Sequence, residues 1–459
     1  MNSIDLSSRG VHRASVAERC LLVAVLGLSY WAIGHDWSST VRQDVLEKTQ
    51  FERAQNRFAW SQSGTNNASA FGYFLLGGVG FVCLLKHSSR KTIWTHPLTI
   101  ICILYAAWCA LSLFWVPYFW FSIRKVTILA LFLLAVFGLA RRIEMEDLCW
   151  IAIVLTSGYL VIGVLAEIAH GFYKPWSADY RFAGTRHPND QAVQCAMLVL
   201  ALGCRTWENR RRDWFLGCLL AVGMVSLILT KSRTGLACSM VALAVVFLLR
   251  TRGTQRLFVA SAGIAVVSFT LIAYTFVSVS ASERAGDLAA MGRGKDVNTL
   301  TGRIPLWKAI LSDESEYFLI GKGYTSFWDE KTILKYSERF LWQIPHAHNA
   351  YLDQLLSVGI VGLSLYLALI STALWVALSR YRTSSRPALL FPVGLLVFAI
   401  VNGLTESKFP SAGVGSLFMF MSIAVMALHK PAGASQSIAA QADTPRQSPL
   451  TRWTEFSPG

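Results

Sequence analysis

The stretch Pro345-His346-Ala347-His348-Asn349-Ala350-Tyr351-Leu352-Asp353 sets two histidines where a polar segment meets a strongly apolar one. Imidazole titrates near neutral pH and can take a proton from an attacking hydroxyl. His346-x-His348 also has the look of a metal pair, but no Cys or third His stands at a ligand spacing. Carboxylates alone are no zinc signature. A third reading is a histidine that only packs or caps a helix start. His348 adjoins Asn349 and the first turn of the apolar segment, so it is the better-held general base. His346 follows Pro345 and has more freedom. Two residues apart, their side chains point in different directions and do not share one role. Asp353, one turn into the helix, suits orienting the histidine or complementing the helix N-terminus. Gly359 and Gly362 permit close approach of neighbouring helices.

A second set of chemically capable residues is cationic. Arg181 and Arg186 lie in Arg181-Phe182-Ala183-Gly184-Thr185-Arg186-His187-Pro188-Asn189. Lys231 and Arg233 lie in the tight link Thr230-Lys231-Ser232-Arg233-Thr234-Gly235, and Arg303 lies in Thr301-Gly302-Arg303-Ile304-Pro305-Leu306-Trp307. Arg124 and Lys125 begin another apolar segment; for them, snorkelling to lipid phosphates competes with a ligand role. Arginine offers a planar fork of donors matched to phosphate oxygens. Several of them converging on one mouth would make an anion site, most naturally for a lipid-linked pyrophosphate.

The elements that must position these residues are membrane spans. The chain has 459 residues, 54% of them hydrophobic and only 15% charged, and a mean hydropathy of +0.44. Apolar runs recur at about 18–34, 68–85, 96–114, 123–140, 148–169, 189–204, 214–230, 234–250, 257–278, 350–378, 388–404 and 412–429. The expected fold is therefore an all-α polytopic membrane protein of about 12 helices. A large extracytoplasmic loop, 279–347, separates the ninth from the tenth. The net charge of +15 is dispersed in short clusters between apolar runs, which excludes a nucleic-acid partner as its cause. Lys86, Arg90 and Lys91; Arg141 and Arg142; Arg205 and Arg210–Arg212; Arg250, Arg252 and Arg256; and Arg380, Arg382 and Arg386 mark alternate short loops as cytoplasmic, together with both termini. The arginines of the candidate site fall on the opposite face and break that preference, so they need another reason to exist.

Residues 1–17 read as a cytoplasmic N-terminus, 18–429 as the membrane domain and 430–459 as a disordered tail rich in Ala, Ser, Gln and Pro. The first apolar segment lacks a persuasive cleavage site and reads as a retained helix. The nine cysteines all lie in or beside apolar segments, without a CxxC pair, and read as core residues. Within the large loop, Ile304, Trp307 and Leu311 share one face of a short helix that would lie on the membrane surface. The following Tyr324, Phe327 and Trp328 could hold sugar rings or simply pack the loop onto the bundle.

Taken together, the segments Phe182-x-Gly184, Ser232-Arg233-Thr234-Gly235, Gly302-Arg303 with Trp307, and His348-Asn349-x-Tyr351 with the glycines beyond it resemble the O-antigen ligase and polysaccharide polymerase superfamily. The resemblance covers about 180–370 and is nearer to the exopolysaccharide polymerase branch through Gly321-x-Gly323-Tyr324 and Phe327-Trp328. It implies a glycosyltransferase of the bacterial inner membrane that uses glycan on undecaprenyl pyrophosphate at the extracytoplasmic face, with inversion and without metal or cofactor. It implies that Arg186, Arg233 and Arg303 grip the donor pyrophosphate and that His348 activates the acceptor hydroxyl. Arg181, Lys231, His346, Asn349, Tyr351 and Asp353 would support them. A flippase and a chain-length regulator of the same pathway are the implied partners, besides the lipid bilayer. An O-antigen ligase acting on lipid A core is the alternative within the family. A transporter of lipid-linked glycan is the alternative from another class, although it has no need of the histidine junction.

The topology can be checked without any activity. In a background lacking the native cysteines, a cysteine at Ser315 is expected to react with an impermeant thiol reagent in intact cells. One at Ser384 is expected to react only after permeabilisation. The reverse pattern would overturn the orientation.

Overall fold

The computed structural model describes residues 16–34, 67–86, 95–177, 180–206, 214–251, 302–342, 344–407 and 414–428. Every regular element among them is helical. The first group is α1 (Val16–Gly34), α2 (Asn67–Leu85), α3 (Pro97–Leu111), α4 (Phe119–Ala140), α5 (Met145–Ala169), α6 (Pro188–Thr206), α7 (Trp214–Leu229) and α8 (Arg233–Arg250). Then come the short α9 (Arg303–Asp313) and α10 (Glu330–Phe340). The long α11 (Ala350–Ser384), α12 (Leu390–Gly403) and α13 (Val414–Leu428) follow. The expected spans outside 252–301 each coincide with one of these helices. The expected span 257–278, the loops 35–66 and 279–301, and both ends of the chain lie outside the described residues.

By length and apolarity, α2, α3 with its short continuation to Phe114, α4, α5, α8 and α11 can each cross a membrane. The apolar part of α1, Cys20–Gly34, and the apolar helices α7, α12 and α13 are shorter. The protein is a multi-pass helical membrane protein. α6 is of a different kind. Its residues Ala192 to Leu202 are buried almost completely, packed by α5, α7 and α8. Yet Gln191 and Gln194 in its first turns are buried too. Polar side chains at membrane depth need partners inside the bundle. Gln194 accepts a hydrogen bond from the Tyr30 hydroxyl of α1.

Residues 302–356 form a small unit with its own core of Leu306, Ile310, Phe327, Tyr336, Ile344, Ala347, Leu352 and Leu356. α9 has two apolar faces. Ile304 and Leu311 point outward, whereas Leu306, Ala309 and Ile310 are buried. The Trp307 indole N–H is drawn to Ala347 O, 2.8 Å away. The aromatics after Gly321 are packing residues. Tyr324 and Phe327 are buried, and the Trp328 indole donates to Asp353 Oδ1 at 2.7 Å. Asp329 caps α10. Burial pushes its carboxyl up, but hydrogen bonds from Lys322 and Thr332 outweigh this and hold it below the usual carboxylate value.

α11 is broken at Gly359, where φ is +67° and ψ is −173°. A helix broken at membrane depth must find new partners for its freed backbone groups. Here they are supplied one by one. Lys322 N donates to Leu356 O at 2.9 Å, Gly323 N to Ser357 O at 2.8 Å, and Ile360 N to Phe318 O at 2.8 Å. The Trp108 indole donates to Val358 O at 2.8 Å. The first turns of α11 thus belong to the small unit, and the rest to the bundle.

A Cβ on Gly359 would lie 2.3 Å from Leu319 O, at a positive φ that side chains adopt at a cost. Gly359→Ala is expected to lower the unfolding temperature of the detergent-solubilised protein, reflecting a loss of about 1–3 kcal/mol or more. Gly158→Ala, in a helix with open space around the glycine, is expected to leave it unchanged or raise it. Equal midpoints for Gly359→Ala and the parent would show that the break is not enforced by this contact.

Candidate functional site

The site is built around Glu406, in the turn after α12, where the sequence gives no motif. Its carboxylate is buried, 4% exposed, and its first partner is Arg303 at the start of α9. Arg303 Nη2 donates to Glu406 Oε1 at 2.9 Å, and Nη1 donates to Thr405 O at 2.5 Å. Asn189, at the start of α6, donates from Nδ2 to the same Oε1 at 3.2 Å. Asn189 Oδ1 in turn accepts from Arg181 Nη2 at 3.3 Å, and Arg181 Nε donates to Thr230 O at 3.2 Å. One network therefore joins the 181–189 segment, the link at Thr230, the start of α9 and the turn after α12.

His348 stands on the other side of the same carboxylate. Its Nδ1 is 3.8 Å from Glu406 Oε2, an ion-pair distance but too long for a hydrogen bond. Both ring nitrogens are buried and find no hydrogen-bond partner among the described residues. Buried polar atoms left without partners are uncommon and mark places where a ligand can supply the missing bond. The backbone of His348 is left-handed, with φ +52°. Three contacts hold it there. Its N–H donates to His346 Nδ1 at 3.2 Å. Asn349 caps α11 by accepting from Tyr351 N and Leu352 N at 3.0 Å each. Asp353 Oδ1 accepts from Ala347 N at 3.0 Å, and its Oδ2 takes the Ser407 hydroxyl. Asp353 thus orients the loop that carries the histidine and ties it to the turn of Glu406. The Tyr351 hydroxyl donates to Ile400 O at 2.8 Å and fixes α11 against α12.

The 180–186 segment is held from below by Glu167 of α5. This buried carboxylate accepts from Ala183 N at 3.0 Å, Gly184 N at 2.9 Å and the Tyr180 hydroxyl at 2.5 Å. Phe182 N donates to Leu229 O at 2.8 Å, which joins the segment to the end of α7. Arg186 leaves it in another direction. Its guanidinium lies 4.9 Å from the Tyr159 ring centroid and 5.4 Å from that of Tyr30. Its Nε and Nη2 are buried without hydrogen-bond partners among the described residues. Arg233 opens α8, whose N-cap is Ser232, just after Lys231 with φ +50°. α8 packs along α12, and Cys238, little more than a turn on, neighbours Asn402 and Glu406.

The structure thus joins Arg181, Arg303 and His348 through Glu406 and Asn189, neither of which was a site residue on sequence grounds. It leaves Arg186 in an aromatic cradle on α1 and α5. It also shows that Arg303 already spends two of its five N–H donors on the protein, so it presents a partial fork rather than a free one.

The fold and this cluster define a multi-pass helical membrane protein with a polar centre at one end of its bundle. Residues 216–367 match the model of a family described as O-Antigen ligase. A curated relative, exopolysaccharide production protein ExoQ of Rhizobium meliloti (strain 1021), is 32% identical over 123 residues, 24% of this chain and 27% of that protein. The chain spans about a quarter of the length of this curated relative. Over these residues the chain is similar to the O-antigen ligase and exopolysaccharide polymerase superfamily.

Removing one partner from a buried ion pair leaves an uncompensated charge, at a typical cost of about 3–5 kcal/mol. Arg303 and Glu406 are 13% and 4% exposed. Glu406→Ala is expected to lower the thermal unfolding midpoint by an amount of that order. The double variant Arg303→Met/Glu406→Met is expected to recover most of it. An unchanged midpoint in Glu406→Ala would show that the pair is not a structural element.

Proposed function

We propose that this chain is a glycan polymerase of the bacterial inner membrane. The donor is a glycan on undecaprenyl pyrophosphate, presented at the extracytoplasmic face, and the acceptor is a hydroxyl of another lipid-linked unit. Both termini are cytoplasmic in this reading. The observation that carries it is His348, whose unpartnered ring nitrogens stand beside a buried carboxylate that also holds Arg303. Polymerase is preferred to ligase because the relative with the printed role in exopolysaccharide production aligns at 32% identity.

In the step proposed, the acceptor hydroxyl gives its proton to His348 as its oxygen attacks the anomeric carbon. The bond from that carbon to the pyrophosphate oxygen breaks on the opposite face, so the configuration inverts. The nearby Glu406 charge stabilises the imidazolium that forms. Arg186, Arg233 and the unspent donors of Arg303 take up the charge on the leaving pyrophosphate, which makes a metal unnecessary to the scheme. Lys231 and Arg181 hold the surrounding segments in place.

The test uses purified protein in lipid with the strain's own lipid-linked repeat units. Longer glycan chains are expected, in chelator as in its absence. His348→Ala is expected to lower the rate by about 10²–10⁴-fold at equal protein level. His346→Ala is expected to lose less. Near-parental output from His348→Ala would end the general-base assignment. Unchanged chains accompanied by leaflet exchange would replace the enzyme with a transporter. In a deletion strain, loss of polymer with intact lipopolysaccharide separates polymerase from ligase.

A further inference from the structure

The aromatics after Gly321 are consumed by packing, so a sugar platform must be sought elsewhere. One aromatic stands at His348 itself. The Trp342 ring centroid lies 5.5 Å from that of His348, with the planes tilted by 43°. His346 lies 4.1 Å from His348, centroid to centroid, so the two histidine side chains meet, contrary to the expectation that they point apart, and His348 adjoins both rings. Trp342 follows Leu341, whose left-handed φ of +59° ends α10 and turns the chain back toward the site. Its neighbour across the site is Gly302, φ +81°, immediately before Arg303. A Cβ there would already stand 3.5 Å from Trp342 Nε1, so a larger residue would crowd the indole edge.

The hydrogen bonding of Trp342 sets it apart from its neighbours. Trp108 donates its indole N–H to Val358 O at 2.8 Å, and Trp115 to Gly321 O at 3.2 Å. Trp307 donates to Ala347 O at 2.8 Å, and Trp328 to Asp353 Oδ1 at 2.7 Å. Tryptophan in a packed position usually places this donor. Trp342 is only partly buried, and its N–H meets no acceptor among the described residues. An apolar face, an unspent donor and the two orphan nitrogens of His348 therefore adjoin one another. A pyranose ring offers the matching surface: a patch of C–H bonds on one face and hydroxyls on its rim.

We propose that Trp342 is the platform of the acceptor-sugar subsite. It seats the sugar whose hydroxyl His348 deprotonates and donates its N–H to a second hydroxyl of that ring. This rests on the transfer reaction proposed above. The donor pyrophosphate, held by arginines, makes no demand on Trp342, so the residue selects the acceptor.

The experiment measures two quantities for the parent, Trp342→Ala, Trp342→Leu and Trp342→Phe, each first shown to unfold at the parental temperature. The first is the dependence of elongation rate on acceptor concentration at saturating donor. The second is saturation-transfer NMR on the whole protein, with repeat-unit oligosaccharide released from the strain's own lipid-linked intermediates. Trp342→Ala and Trp342→Leu are expected to raise the acceptor KM about tenfold, the scale of one lost contact, with kcat largely kept. Both should also lose the saturation-transfer signal. Trp342→Phe keeps the face without the donor and is expected to fall between. A fall in kcat with unchanged acceptor KM would overturn the proposal and make Trp342 a support for the His348 ring. An unchanged signal in Trp342→Ala and Trp342→Leu would overturn it as well. If the parent binds the oligosaccharide through Trp342 but never elongates it, the subsite stands and the polymerase reading falls. If Trp342→Ala does not fold, the Leu and Phe variants decide.

Discussion

A buried carboxylate in an apolar bundle is tolerated only when its charge is answered, and here Glu406 is answered from several helices at once. Arg303 and Asn189 both bond to Oε1, and His348 faces Oε2. These residues come from the starts of α9 and α6 and from the loop before α11. The carboxylate is thus the point where parts of the chain distant in sequence must agree. It also sets the electrostatics of the site. A histidine beside it can accept a proton with the resulting charge already balanced, while Arg303 is kept from repelling that charge.

The spans were legible because apolar length is a strong signal. Arg181, Arg303 and His348, which meet around Asn189 and Glu406, stood out in the sequence as ionisable groups at the ends of apolar runs. Glu406 was not. It lies in Leu404-Thr405-Glu406-Ser407-Lys408, which reads as an ordinary polar turn between two spans. Its partners are 217, 103 and 58 residues away, and no local pattern records such distances. One signal was present. α6 is the least apolar of the expected spans, with Asn189, Asp190, Gln191 and Gln194 in its first turns. A span that starts so polar must face something polar within the bundle.

The small unit of 302–356 shows a different limit. α9 carries apolar residues on two faces, so periodicity alone could not decide which one packs. Leu306 and Ile310 meet the core, while Ile304 and Leu311 are left on the outward face. Likewise an aromatic cluster reads the same whether its rings fill a core or line a groove. What separates the two is the indole N–H: satisfied in Trp307 and Trp328, without an acceptor among the described residues in Trp342.

The broken helix α11 has a geometrical consequence. Between Gly359 and His348 lie two to three turns of helix, clamped at the lower end by the backbone bonds of Leu356, Ser357 and Ile360. That segment acts as a ruler. Its length sets how far the imidazole stands from the break, about 1.5 Å for each residue, and its winding sets the compass bearing, about 100° for each residue. Inserting or deleting one residue there would swing the imidazole away from Glu406. Length is therefore a constraint on this segment in addition to the bonds of Tyr351 and Asp353.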